Sequence, residues 1–157
     1  MNDKILQFLK ESNAIEKENR KEFLHLAHLG WHFLSAFNHL DPENICATHL
    51  LLSIKSDLSD EEKGNFRECE VMIGGDLAPR AYSVPILMDQ WITIHGDAKT
   101  EKEIKEAHIA FEHIHPFVDF NGRVGRIIMN WQRMKNSLDI LVIDHKDAFE
   151  YYKWFKK

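Results

Sequence analysis

The segment from His115 to Arg126, with the sequence HPFVDFNGRVGR, constrains the fold of this chain more than any other stretch. Pro116 disfavours helical backbone at the residue before it, so the helical pattern upstream is expected to end near His115. A second helix is expected to start near Gly122, because Arg123 and Arg126 would then share one helical face. The sequence therefore predicts two helices joined by a short polar loop.

The side chains of this loop are typical of a polyphosphate-binding site. His115 can accept a proton near neutral pH, and Asp119 is a hard oxygen ligand suited to Mg²⁺. A helix that starts after the loop offers unpaired N–H groups and the positive end of its dipole to an anion. Arg123 and Arg126 add two guanidinium groups that suit adjacent phosphates. We interpret the segment as a site that binds a nucleoside triphosphate and directs a hydroxyl group at it.

The composition indicates one soluble globular domain spanning residues 1–157. The chain is 44% hydrophobic and 29% charged, with a formal net charge of -5, which argues against direct nucleic-acid binding and against an anionic membrane surface. Cys46 and Cys69 form no disulfide or zinc-binding pattern, so a reducing cytoplasm is the simplest interpretation. We expect no membrane span and no signal peptide.

Helical periodicity dominates the rest of the chain, so the expected fold class is all-α. Asp3 is the expected N-cap of the first helix. Pro42 is expected in the first turn of a helix whose buried positions are Leu50, Leu51 and Ile54. The expected helical segments are residues 3–9, 22–40, 42–54, 85–96, 100–114, 122–134 and 146–155.

Residues 65–75 break the helical pattern. Apolar and polar residues roughly alternate from Asn65 to Ile73, and Gly74 and Gly75 then interrupt the alternation. Such a pattern predicts a short hairpin or an extended flap, the only β structure expected in the chain.

Three ordered features of the sequence resemble the Fic family. The family signature is His-x-Phe-x-Asp/Glu-small-Asn-Gly-Arg-x-x-Arg, and a flap ending in Ile-Gly-Gly and a Tyr-Tyr pair in the last helix accompany it. The resemblance runs from about Ser12 to the C-terminus and implies a Fic-type helical bundle with a short β-hairpin flap. The matching residues are His115, Phe117, Asp119, Asn121, Gly122, Arg123 and Arg126, with Ile73–Gly75 in the flap and Tyr151–Tyr152 near the end.

The resemblance implies a protein adenylyltransferase, which transfers AMP from ATP to a Ser, Thr or Tyr hydroxyl of a target protein with Mg²⁺ present. It implies that His115 is the general base, that Asp119 holds Mg²⁺, and that Arg126 binds the γ-phosphate. Asn121 and the Gly122 amide would form the anion hole, with Phe117 as a core anchor behind the loop. The implied nucleotide-binding residues are Phe120, Asn121, Gly122, Arg123 and Arg126, and the implied target-positioning flap residues are Arg67, Val71, Met72 and Ile73.

The segment from Ser12 to Glu16 resembles the inhibitory motif of the family, within an expected inhibitory helix of about residues 3–18. The resemblance implies that Glu16 pairs with Arg126 and misplaces the γ-phosphate, since a carboxylate competes with phosphate for one guanidinium group. Lys17 stands where relatives have Gly or Asn. The alternative interpretation of Ser12 to Glu16 is an ordinary capping sequence at a helix start.

Phe120 departs from the family pattern, in which a small residue stands at this position. A small residue permits positive φ, whereas Phe in that conformation costs on the order of 1–3 kcal/mol and could crowd the triphosphate. We therefore hypothesise weak or altered nucleotide use. The alternatives left open are a catalytically weakened module that senses a nucleotide or binds a protein, and transfer of another phosphate-containing group. Self-modification and homo-oligomerisation also stay open.

Overall fold

The computed structural model describes residues 2–157, and in that range it confirms the expected all-α class. Seven α-helices and a two-stranded hairpin make up the described part of the chain. This part of the chain also forms three short 3₁₀ helices, at Ala81–Ser83, His145–Asp147 and Lys153–Phe155. The elements are α1 (Asp3–Ile15), α2 (Lys21–Ser35), α3 (Pro42–Ser53), β1 (Met72–Ile73), β2 (Asp76–Leu77), α4 (Val84–His95), α5 (Glu101–Ile114), α6 (Asn121–Lys135) and α7 (Ala148–Tyr152).

The first two helices differ from the expected segments at their ends. Asn2, not Asp3, is the N-cap of α1, because its side-chain oxygen accepts a hydrogen bond from the Lys4 N–H at 3.0 Å. The helix then continues to Ile15, beyond the expected end at residue 9. By contrast, α2 stops at Ser35, whose hydroxyl donates to a carbonyl of the preceding turn, and does not reach residue 40.

The start of α3 is as expected, but its buried face is not. Pro42 lies in the first turn, as predicted. Leu50 and Ile54 are 40% and 49% exposed, so the expected buried positions were wrong. The face that packs against α2 and α6 lies on nearly the opposite side of the helix from the expected one. Its buried residues are Ile45, Thr48, His49 and Leu52.

The central element of the fold is α6. It packs against α1, α2, α3 and α5, and it is buried continuously from Arg123 to Arg133. The apolar core surrounds it and includes Phe111 of α5, Trp91 of α4 and Trp31 of α2. Because the signature sequence runs into this helix, its two arginines lie inside the protein and not on its surface.

The flap is a hairpin, as predicted, but its turn lies at the end of the expected range 65–75, and its second strand lies beyond that range. Met72 pairs with Leu77 and Ile73 with Asp76 in an antiparallel register. Gly74 and Gly75 form the two-residue turn, both with positive φ, the geometry of a type I′ hairpin. The flap therefore extends two residues beyond residue 75, to Leu77.

In residues 2–157 no helix is both long enough and apolar enough to cross a lipid bilayer.

Candidate active site

The loop between α5 and α6 is held in shape by one side chain. Asn121 accepts from the Phe117 N–H and donates to the Phe117 carbonyl, both at 2.9 Å. Phe117 itself is fully buried, as expected of a core anchor. The side-chain amide expected to face phosphate is therefore used to close the loop, which leaves main-chain N–H groups at the start of α6 as the anion donors.

His115 lies at the C-terminal end of α5 in a left-handed conformation with φ 51°. Its Nδ1 lies 3.2 Å from the Glu112 carbonyl oxygen, and because a carbonyl only accepts, Nδ1 carries the proton and Nε2 is left with a lone pair. Burial lowers the pKa of His115, and the Arg67 charge adds to that effect against the Glu112 hydrogen bond. A neutral imidazole with a free Nε2 has the form that a general base requires.

A buried histidine that the sequence did not point to supports the loop from behind. His49 of α3 stacks on the Phe117 ring at 3.9 Å, and its Nε2 bonds the Asp119 carbonyl at 3.0 Å. The Gly64 N–H donates to Nδ1, so Nε2 is the protonated nitrogen. Burial lowers the pKa of His49 to about 4, which keeps it neutral. Its fixed tautomer therefore orients the peptide that carries Asp119.

Arg67 lies in a different place from the one expected of a target-positioning residue. It is 3% exposed, and its Nε donates to the His115 carbonyl at 2.6 Å. Other N–H groups of the guanidinium donate to the carbonyls of Cys69 and Pro79 on either side of the hairpin. Arg67 therefore ties the base of the flap to the signature loop and influences a target only through the placing of the hairpin.

Asp119 is exposed at the rim of the site and fits a magnesium ligand. One carboxylate oxygen accepts the Phe120 N–H at 2.7 Å, which fixes the orientation of the group. Mg²⁺ in nucleotide sites is usually bound by one or two carboxylates together with substrate phosphates and water. Asp119 is such a single, oriented carboxylate, and it lies beside the N-terminus of α6.

Phe120 adopts the positive φ that was expected to be costly, at 70°. Its ring turns into the core, where it stacks on Phe23 and meets His49 edge-on. The Arg123 guanidinium lies over the same ring at 3.6 Å. The ring therefore packs behind the loop instead of filling the phosphate site, and the strain is offset by buried contacts.

The contact with the Phe120 ring holds the Arg123 guanidinium away from the cleft. Arg123 is 8% exposed, its Nε is buried and has no hydrogen-bond partner in residues 2–157, and burial lowers its pKa. Arg123 does not line the cleft between the flap and the signature loop. The expected phosphate contact of Arg123 would require its side chain to leave the Phe120 ring.

The Arg126 guanidinium makes four hydrogen bonds inside the site. Its Nε donates to the Ser12 hydroxyl at 2.8 Å, and Nη2 donates to the Ser12 carbonyl at 3.0 Å and to Glu16 Oε1 at 2.7 Å. Nη1 donates to the Tyr151 hydroxyl at 3.2 Å. The expected pairing of Glu16 with Arg126 is thus present, with Ser12 as a second contact from α1.

Gly122 lies directly beneath this ion pair. A Cβ atom on Gly122 would lie 2.8 Å from both Arg126 Nη1 and Glu16 Oε1. Any larger residue would push the two groups apart. The glycine of the signature therefore leaves the space in which a carboxylate, or a phosphate in its place, contacts Arg126.

The turn that presents Glu16 is complete despite the departure at Lys17. The Glu18 N–H bonds the Asn13 carbonyl and the Lys17 N–H bonds the Ala14 carbonyl, which is a Schellman motif at the end of α1. Lys17 occupies its left-handed position with φ 57°. The substitution of the usual Gly or Asn is accommodated as backbone strain.

One cleft of about 1130 Å³ joins these parts. The flap forms one side, the signature loop with the start of α6 forms the floor, and the C-terminal tyrosines and Glu16 form the other side. A nucleotide and a target segment can therefore approach the same few side chains. The chemically important lining residues are Glu16, Ile73, Glu112, His115, Asp119, Gly122, Arg126, Tyr151 and Tyr152.

The two tyrosines of α7 have different environments. Tyr151 is buried, and its hydroxyl also bonds His108 Nε2 at 2.7 Å. Because Arg126 donates to the Tyr151 oxygen, the hydroxyl proton is directed to His108, another buried histidine that the sequence did not indicate. Tyr152 is 47% exposed at the cleft. Tyr151 therefore positions Arg126, while Tyr152 exposes an aromatic ring to the cleft.

The sequence matches the Fic/DOC family over residues 39–132. It is 32% identical to the protein adenylyltransferase Fic of Drosophila virilis and 31% identical to that of Drosophila melanogaster, over 100 residues in each case. These alignments cover 60% of this chain and 21% and 20% of the relatives. The chain thus spans about a fifth of the length of the curated relatives it matches.

Solved structures share the fold over nearly the whole chain. A Fic domain containing signaling protein from Bacteroides thetaiotaomicron superposes with a TM-score of 0.78 at 18% identity, covering 97% of this chain and 70% of that one. Fic-1 from C. elegans superposes with a TM-score of 0.76 at 17% identity, covering 98% of this chain and 55% of that one. The likeness confirms the expected Fic-type helical architecture.

Proposed function

The chain belongs to the Fic/DOC family, and on that premise we propose that it is a protein adenylyltransferase that moves AMP from ATP to a hydroxyl side chain of a target protein. The observation that carries the proposal is the meeting of His115, Asp119 and Arg126 in one cleft. A base, a metal ligand and a phosphate-binding cation are the groups that this transfer requires.

The transfer begins at His115. Its unprotonated Nε2 accepts the proton of the target Ser, Thr or Tyr hydroxyl, and the hydroxyl oxygen forms a bond to the α-phosphorus of ATP. The bond between that phosphorus and the bridging oxygen of the β-phosphate breaks, and pyrophosphate leaves with the electron pair. The Glu112 carbonyl holds the imidazole in the tautomer that makes this possible.

The start of α6 binds the phosphates. Main-chain N–H groups at Asn121 and Gly122 face the anion, and Arg126 takes the γ-phosphate once Glu16 has left it. Asp119 would hold Mg²⁺, which supplies positive charge to the phosphate oxygens when bound. Arg123 joins the site only if its guanidinium leaves the Phe120 ring.

The flap positions the target. The strand of Val71, Met72 and Ile73 forms the outer edge of the short hairpin beside His115 and can add an extended segment that carries the hydroxyl. The Val71 carbonyl accepts from the Ala78 N–H, and Ile73 pairs with Asp76 across the turn. Because bonded and unbonded pairs alternate in an antiparallel ladder, the outward main-chain groups are those of Met72. Met72 is largely exposed, so its side chain can contact that segment.

The N-terminal helix restrains the reaction. Glu16 contacts the Arg126 nitrogen that the γ-phosphate would use, so both anions cannot bind there together. The contact lies within one chain, which makes the restraint internal and independent of a separate inhibitory protein.

The test uses ATP labelled on the α-phosphate and, in parallel, ATP labelled on the γ-phosphate. We expect the Glu16→Gly protein with Mg²⁺ to incorporate the α-label and not the γ-label into itself or a target, and to lose incorporation on His115→Ala. Incorporation of the γ-label would indicate phosphoryl transfer instead. ATP binding without incorporation of either label would favour a nucleotide-sensing module.

A further inference from the structure

Glu112 of α5 is a buried acid of the cleft for which the proposed reaction has no role. It is 9% exposed, it precedes His115 by one helical turn, and its main-chain carbonyl is already used by that histidine. Its Oε1 is fully buried and has no hydrogen-bond partner in residues 2–157. Such a group is unusual, because a buried carboxyl oxygen is normally bonded.

The carboxyl group lies against the backbone of α6 at Gly125. A Cβ atom on Gly125 would lie 2.6 Å from Glu112 Oε1, so the absence of a side chain at Gly125 makes the space for the carboxyl. Glu112 lines the cleft together with Arg126 and Glu16. It is therefore a second acid near the guanidinium that the γ-phosphate would use.

The charged and titratable groups around Glu112 come from three other elements and from its own helix. Arg126 of α6 favours the ionised carboxylate, whereas Glu16 at the end of α1 disfavours it. Tyr151 of α7 and His108 of α5 are both neutral, because burial raises the pKa of the first and lowers the pKa of the second to about 3.

Burial is the largest influence on Glu112 and raises its pKa to about 7, against the opposing charge of Arg126. The group thus changes its charge near neutral pH, in the buried wall of the cleft that also contains Arg126. Any anion that replaces Glu16 changes the charge next to it.

We propose that Glu112 is a proton-binding residue of the nucleotide site, which takes up a fraction of a proton per molecule from solvent at neutral pH when the phosphates of a nucleoside triphosphate replace Glu16 beside Arg126. This inference rests on the proposed function, because it needs ATP in the cleft. Glu16 brings one negative charge to Arg126, and the terminal phosphates bring more. The added charge favours the neutral form of Glu112.

Because the coupling is reciprocal, the charge of Glu112 also changes the affinity of the site for ATP. If bound phosphate makes Glu112 neutral, an ionised Glu112 must weaken phosphate binding by the same factor. Affinity for ATP therefore falls as the pH rises above about 7. The total loss is roughly tenfold if bound ATP raises the pKa of Glu112 by one unit, and roughly a further tenfold for each further unit. AMP, which lacks the terminal phosphates, shows a smaller effect.

Calorimetry measures the proton directly. ATP with Mg²⁺ is titrated into the Glu16→Gly protein at neutral pH in two buffers of different ionisation enthalpy, and the difference in heat gives the protons taken up. The terminal phosphate of ATP also titrates near neutral pH, so the reference is the same titration of Glu16→Gly with Glu112→Gln. Glu16→Gly with Glu106→Gln is the matched control, because Glu106 is exposed on the same helix.

We expect proton uptake by Glu16→Gly to exceed that of the Glu112→Gln reference and to be unchanged in the Glu106→Gln control. Equal uptake with and without Glu112 contradicts this inference while leaving the proposed function intact, and no ATP binding to Glu16→Gly contradicts both. An NMR titration of the Glu112 carboxyl carbon in Glu16→Gly needs no replacement of Glu112. Its midpoint rises when ATP is added if the inference holds and stays in place if it does not.

Discussion

Glu16 and Arg126 form an ion pair of 2.7 Å that joins the end of α1 to the middle of the buried helix α6. The Arg126 side chain is 2% exposed, whereas the Glu16 side chain keeps 32% of its surface. The arginine is therefore a fixed part of the core, and the carboxylate is the partner that can leave. This asymmetry is what a competition with phosphate requires, since the cation stays in place when its partner is exchanged.

The strained turn after α1 gives the first prediction. Lys17 has φ 57° in a Schellman motif, a conformation that costs non-glycine residues about 1–2 kcal/mol. Lys17→Gly removes that strain. Glycine also makes the unfolded chain more flexible, which offsets part of the stabilisation, so the free energy of unfolding should rise by about 0.5–1 kcal/mol. Lys10→Gly is the control, because Lys10 is exposed within α1, where glycine destabilises by about 1 kcal/mol. Denaturant unfolding measures both, and a loss of stability in Lys17→Gly would contradict the strain.

The two adjacent tyrosines of α7 give a matched pair. Tyr151→Phe removes the hydroxyl that accepts from Arg126 and bonds His108, which leaves two buried groups with fewer partners. We expect a loss of about 1–3 kcal/mol in the free energy of unfolding. Tyr152→Phe removes a hydroxyl at the cleft surface and should change stability by less than about 0.5 kcal/mol. Equal losses in thermal or denaturant unfolding would show that Tyr151 does not hold Arg126.

Phe120 gives a comparison between two small replacements. Both Phe120→Ala and Phe120→Gly lose the ring that packs on Phe23 and Arg123, so both should destabilise the protein by several kcal/mol, on the order of 3. The positive φ of 70° should make the glycine variant the more stable of the two by about 1 kcal/mol. The reverse order in chemical denaturation would mean that position 120 is not strained.

The buried His108 gives a dependence of stability on pH. Burial, with help from the Arg126 charge, lowers its pKa to about 3 from the ordinary 6.5. Between these values the unfolded chain binds a proton that the folded protein does not, so stability is lost as the pH falls from about 6.5 towards 3. The slope from this group is about 1.4 kcal/mol per pH unit.

His108→Gln should remove the one-proton contribution of His108 to the slope of unfolding free energy against pH. The glutamine side chain still offers an acceptor to the Tyr151 hydroxyl. His32→Gln, on the exposed side of α2, should leave the slope as it is. Comparing each variant with the parent at pH values from 7 down to 5 removes contributions shared by both proteins, including the opposite contribution of Glu112. Parallel curves for His108→Gln and the parent would contradict a neutral buried His108.

The sequence predicted the features that depend on spacing along the chain. The end of α5 at His115, the start of α6 near Gly122 and the glycine turn of the flap all follow from local conformational preferences, and the structure has them. The interaction of Glu16 with Arg126 was also expected, but from the family resemblance and not from the pattern alone.

What the sequence did not indicate depends on packing between distant elements. The inward turn of the Phe120 ring is set by Phe23 of α2 and by His49 of α3, neither of which is near it in the chain. Arg67 was expected at the target because the family resemblance places it in the flap, yet its partners are main-chain carbonyls that only the fold brings together. No local pattern distinguishes such a buried guanidinium from an exposed one.

If Glu16 and the γ-phosphate compete for Arg126, as we propose, the rate of adenylylation depends on Glu16. Intact-mass spectrometry follows the gain of one adenylyl group by the protein or a supplied target, with ATP and Mg²⁺, in the parent, in Glu16→Gly and in Glu16→Gly with His115→Ala. We expect a rate at least about tenfold higher in Glu16→Gly than in the parent, the equivalent of about 1.4 kcal/mol, and no gain of mass without His115. Equal rates in the parent and in Glu16→Gly would contradict this competition.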